Sequence, residues 1–162
     1  MRKFGIIAVL SLLVTAFAAV PVLAQSGHFL DRTVECTDIG TQLQCDAKVA
    51  GLGGTTFQLD ISAPGTAIVE CTNPGGNVAP GQDTDIVATG TSGPLPTPRN
   101  GNFTFTDATT NTPTVPNFPT CPNPGWTATV VDVVFDGTAT LTLSEDGVVS
   151  DTIDVTIIQP TT

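Results

Sequence analysis

From Thr33 onward, apolar and β-branched residues come in short runs cut by Gly, Pro, Asn and Asp every eight to twelve positions, the spacing of strands joined by turns. Leu43, Cys45, Ala47 and Val49 alternate with Gln44, Asp46 and Lys48, a period of two that buries one face of a strand. The pattern predicts a hairpin of 32–37 and 42–49 turning through Asp38-Ile39-Gly40-Thr41. Phe57, Leu59 and Ile61 mark the next strand, over 55–62. Ala63-Pro64-Gly65 is expected to end it, because Gly and Pro punctuate regular structure, and 66–71 then reads as a separate strand. Further strands are predicted over 83–91, 102–106 and 126–135. In the last of these, Thr127 and Thr129 give way to Val131, Val133 and Phe135 on one face, which predicts a bulge or burial on both sides. Ala139, Leu141 and Leu143 alternate with threonines; after the turn Ser144-Glu145-Asp146-Gly147, Val149, Ile153, Val155 and Ile157 are expected to face inward. No stretch after the first two dozen residues sustains a 3.6-residue apolar period, so helix should be minimal. About nine strands result. The expected fold is all-β, a two-sheet antiparallel sandwich, immunoglobulin-like or related, although antibody-type Cys-Trp-Cys order and tyrosine are both missing.

The N-terminus changes the compartment. Met1-Arg2-Lys3, an apolar run from Phe4 to Val20, and Val22-Leu23-Ala24 form a secretory signal peptide over 1–24, cleaved after Ala24. Residues 25–31 then read as a flexible segment, 32–158 as one β domain and 159–162 as a tail. The protein is expected to be secreted by bacterial export, with no membrane insertion after cleavage. Of its 162 residues, 15 are acidic and only Arg32, Lys48 and Arg99 are basic beyond Ala24, a net charge of −12 for the exported part. Nucleic acid is excluded as a partner, since its binding needs clustered Lys and Arg. The expected partner is an extracellular protein or glycan.

Four cysteines, all in the exported part, suit an oxidising compartment. Three pairings are open. The hairpin around Gly40 places Cys36 opposite Cys45, and Cys121 is the natural tie between the Thr/Asn/Pro-rich stretch 107–125 and Cys71, so these two pairings are favoured. With no C-x-x-C and one histidine, His28, a zinc set is poor.

Catalytic chemistry finds no support. His28 lies near the new N-terminus, where no fold would position it for nucleophile activation. Asp132 and Asp136 stand roughly 13 Å apart along a strand at ~3.3 Å per residue, too far for a glycosidase pair, and Glu145-Asp146 sits in a turn. No cofactor is expected apart from calcium, for which Asp83 and Asp85 with Asn77 or Gln82 offer hard oxygen ligands. Asn102-Phe103-Thr104 matches the glycosylation sequon. Trp126 is either a sugar-stacking platform or a cover over a disulfide. The candidate binding surface gathers Asn73, Asn77, Asp83, Asp85, Asn123 and Trp126.

Two stretches echo one another: Cys71-Thr72-Asn73-Pro74-Gly75-Gly76-Asn77, continued by Pro80-Gly81-Gln82, and Cys121-Pro122-Asn123-Pro124-Gly125-Trp126. With Asn100-Gly101 between them and a terminal hairpin after, 67–157 resembles a family of short secreted bacterial proteins. The resemblance implies export and a β-rich fold; it brings no activity, substrate or catalytic residue. The expectation is therefore a secreted, non-enzymatic β domain with a structural, cell-surface or binding role. The alternatives are a calcium- or carbohydrate-binding module using the loops near Asn77, Asp83 and Trp126, and a small protease inhibitor presenting the 107–125 loop.

Overall fold

The computed structural model describes residues 26–160; the expected signal peptide and the last two residues of the tail lie outside them. The architecture is all-β. Eleven strands follow one another: β1 (His28–Phe29), β2 (Glu35–Asp38), β3 (Leu43–Ala50), β4 (Thr56–Thr72), β5 (Val78–Pro80), β6 (Thr84–Thr91), β7 (Leu95–Pro96), β8 (Phe103–Thr109), β9 (Thr127–Phe135), β10 (Thr138–Glu145) and β11 (Val148–Ile158). Among the described residues, helical geometry is confined to a 3₁₀ turn at Asp31–Thr33 and one turn at Asn117–Thr120.

The strand count departs from nine for two reasons. Three short strands, β1, β5 and β7, escape a pattern reading because two or three residues show no period. Conversely, the two strands expected on either side of Ala63-Pro64-Gly65 are one, β4, with 17 residues. Its neighbours explain why proline and glycine do not break it. Along one edge β4 pairs first with β10, at 57–62, and then with β9, at 65–72. Pro64 falls at the change of partner, where only its carbonyl is used, accepting from Asp136 N at 3.0 Å; the missing N–H of proline costs no ladder bond there. Gly65 lies so close to β9 that a Cβ would stand 2.7 Å from Val134 O. The other edge of β4 carries β7, β6 and β5 in turn.

The strands form a single hydrogen-bonded path, and it is mixed rather than wholly antiparallel. The order is β1-β3-β2-β11-β10-β4-β5, with β6, β7 and β9 also on β4 and β8 on β3. The link is β11, which pairs antiparallel with β10 and then sets Ile157 and Ile158 parallel to Cys36 and Thr37 of β2. An irregularity at Ser150 shifts the register of β11: Leu143 faces Asp151, but Ser144 faces Val149. Val149, expected inward, therefore points outward and is 59% exposed. Val131 is the extra residue of a similar shift in β9, the bulge foreshadowed by the change of pattern there.

Leu43, Ala47 and Val49 of β3, Phe57, Leu59 and Ile61 of β4, and Leu141 and Leu143 of β10 join Phe105, Val133, Phe135 and Ile157 in one buried cluster. Each of the larger of these side chains, Val, Leu, Ile or Phe, contributes about 1.5–3 kcal/mol relative to exposure. Residues 28 and 29, in the segment 25–31 expected to be flexible and outside the domain, pack into it. Phe29 is buried in the cluster, β1 pairs with the end of β3, and Phe29 N donates to Asp151 Oδ2 at 2.8 Å.

The β10–β11 turn is a latch as well as a turn. Asp146 and Gly147 have φ of 48° and 81°, the left-handed pair that closes a two-residue hairpin. Buried Glu145 accepts from Gly27 N at 2.9 Å, Gly53 N at 2.6 Å and Gly54 N at 3.2 Å. Exposed Asp146 accepts from the hydroxyls and the backbone N–H groups of Thr55 and Thr56. The Thr55 hydroxyl foremost, then the Thr56 and Thr55 amides, lower its carboxyl from an ordinary 3.8 to about 2. Two adjacent carboxylates thus fix the β3–β4 connection and the N-terminal segment to the hairpin tip.

Candidate functional site

Both favoured disulfides are formed. Cys36 and Cys45 face each other in the β2–β3 register with Cα atoms 4.1 Å apart, and Cys71 is bonded to Cys121. The second bond organises one end of the molecule. Cys71 closes β4 while its partner sits just after the Asn117–Thr120 turn, and both are fully buried. The chain returning from β5 passes directly over this bond: a Cβ on Gly81 would lie 2.9 Å from Cys71 Sγ. Its neighbour Gln82 donates N–H to Thr120 O at 2.9 Å, and Ala128 N donates to Asn117 Oδ1 at 2.9 Å. Cys121 N closes the turn on Asn117 O at 2.8 Å. The long Pro-rich stretch is therefore held at its far end from three directions.

On that braced turn stands Phe118, 59% exposed and the one aromatic among the strongly exposed large apolar side chains of the described residues. Its backbone is extended, φ −127° and ψ 134°, and Pro116 and Pro119 stand close on either side. The surroundings are unusual for so acidic a chain. No charged residue occurs between Glu70 and Asp83 or between Asp107 and Asp132, the two stretches that meet at this bond.

The residues singled out from sequence divide. Asn73 serves its own turn, its Oδ1 accepting from Gly75 N and Asn77 N at 2.9 Å each, as short polar side chains do in turns. Asn77 and Asn123 are exposed, and the carbonyl of Asn123 accepts from Trp126 N at 3.1 Å. Trp126 is half-buried. Asp85 Oδ1 accepts from Thr66 Oγ1 at 3.3 Å, and Asp83 is exposed just ahead of β6. Among the described residues no three His, Cys, Asp or Glu side chains come together as a metal cage, so Asp83 and Asp85 gain no third acidic ligand. Asp132 spends Oδ1 on its own strand, accepting from Val133 N. His28 is exposed, with Nδ1 against Ser26 O.

Phe118 escaped a reading built on polar motifs. The signal for it was the uncharged run around it, which stands out only against the charge of the remainder. No protein-family model, no curated protein and no solved structure matches the chain.

Proposed function

We propose that the chain is a secreted, non-enzymatic recognition domain that binds an extracellular protein through its disulfide-braced end, with Phe118 as the anchor. The observation carrying this reading is the exposed aromatic ring on a turn tied by Cys71–Cys121. Interface cores are depleted in charge and enriched in aromatic residues. A few such anchors dominate affinity, and a turn already fixed by a disulfide and flanking prolines loses little freedom on binding. The acidic remainder of the surface keeps the protein soluble and discourages self-association.

A protease-inhibitor reading gains one specific support: Phe118 has the extended backbone with which substrates enter protease clefts, and the bond after it is to proline. The calcium and carbohydrate readings gain nothing comparable, since Asp83 and Asp85 lack a third acidic ligand and Trp126 is half-buried.

A photo-crosslinking amino acid at position 118, in protein exposed to the culture medium and surface of its producing cells, tests the proposal. Position 149, equally exposed elsewhere, is the control. A discrete adduct at 118 that excess unlabelled protein competes away, with none at 149, is the expected result, and a protease in the adduct would select the inhibitor reading. Identical adducts at both positions, or none at 118, would overturn it.

A further inference from the structure

A second feature lies away from the disulfide end. Among the described residues β6 and β8 each leave one edge unpaired, since β6 pairs with β4 alone and β8 with β3 alone. They meet at one end only. Asn111 N donates to Thr89 O at 2.8 Å, and Gly90 packs so tightly on β8 that a Cβ would stand 2.3 Å from Thr109 O. Beyond that contact the edges part, and β8 is bent by an irregularity opposite Asp46, where Asp107 takes φ 56°. The parting leaves a cleft of about 370 Å³, within the size range of small-molecule sites, about 300–1,000 Å³. Leu59 and Ile61 form its floor, and Leu95, Phe103, Phe105 and Ala108 line it further.

Three chemical features define what would fit. Phe57, Phe103 and Phe105 form a mutual edge-to-face triad, with centroids 4.9, 4.9 and 5.8 Å apart and planes inclined at 61–69°. Two of these rings reach the cleft, so an aromatic guest can extend the same packing. Thr91, Thr104, Thr106 and Thr109 are also among its lining residues, and a threonine hydroxyl can orient one polar group. No charged side chain of the described residues lines it, and burying an unpaired charge is costly. The overall charge of −10 further disfavours an anion.

We infer that the cleft between β6 and β8 is a binding site for a neutral, aromatic small molecule. It is independent of the recognition surface at Phe118.

The test uses N-phenyl-1-naphthylamine, a neutral aromatic fluorophore, and 8-anilinonaphthalene-1-sulfonate, similar in shape but anionic. The neutral probe is expected to bind saturably at one site, with at least tenfold weaker binding of the sulfonate. Thr91→Trp, a change at an exposed rim position, should fill the mouth and weaken the neutral probe tenfold or more. Should that variant fold poorly, methyl NMR of the unmodified protein replaces it, with shifts expected at Leu59, Ile61 and Leu95 on adding the probe. Absence of saturable binding, equal affinity for the two probes, unchanged affinity in a folded Thr91→Trp, or shifts confined to other methyls would each overturn the inference.

Discussion

Asp146 is exposed, yet it accepts hydrogen bonds from two consecutive residues ninety positions away. Its carboxyl titrates near 2 instead of 3.8, so the folded state prefers the ionised form. A depressed carboxylate contributes stability above its unfolded pKa and loses it as pH falls through the folded one. The melting temperature should therefore drop between about pH 4 and pH 2, and Asp146→Asn should lower it at neutral pH while flattening that acid limb. Thermal scans of both proteins across this range check the prediction; parallel curves would refute it. The Asp-Gly turn itself was readable, because Asp-Gly is one of the few pairs that suit two successive left-handed residues. Its reach to Thr55 and Thr56 was not. Nor was the neighbouring Glu145 visible as a buried ligand of three backbone amides, since which donors a carboxylate meets is decided by topology. The same holds for Asn73, whose type suggested a binding role and whose oxygen closes its own turn.

β4 shows what an element reading can and cannot recover. Alternation of Phe57, Leu59 and Ile61 marked its buried face correctly, and the alternation of β3 and β10 did the same. Ala63-Pro64-Gly65 misled because proline and glycine are read as stops when their neighbours are unknown. Here proline sits where no partner needs its N–H, and glycine sits where a neighbouring strand leaves no room for a side chain. Gly65→Ala should destabilise by about 1–3 kcal/mol, the usual cost of overpacking, whereas Pro64→Ala, at an exposed position opposite Val87 where no N–H is called for, should be close to neutral. Urea unfolding of the two variants checks this; equal effects would show that the close approach of β9 is not the constraint. The inward expectation for Val149 failed for a related reason. One extra residue at Ser150 inverts the alternation, and a shift of one position moves a side chain to the opposite face.

For the whole molecule, composition and cysteine count were the most informative signals, since an acidic chain with four thiols and β patterning left room for little besides a stapled all-β domain. The joining of its strands into one path through β11 was beyond reach, because the parallel contact with β2 spans only two residue pairs. The cleft was equally hidden, being the space between two edges and not a motif in either. The two staples differ in expected weight. On the chain-entropy model, closing 50 residues contributes about 4 kcal/mol and closing nine about 2.5 kcal/mol. Cys71→Ser with Cys121→Ser should thus lower the unfolding free energy more than Cys36→Ser with Cys45→Ser, and it alone should broaden the NMR signals of Phe118; the reverse ranking would argue that strain or residual structure dominates. The same bonds also govern how the domain behaves under tension. Pulling residues 26 and 160 apart loads the parallel β2–β11 contact in shear rather than peeling it. Once it yields, the 50-residue loop still withholds about 170 Å of contour, at ~3.3–3.6 Å per residue, which only reduction of Cys71–Cys121 releases.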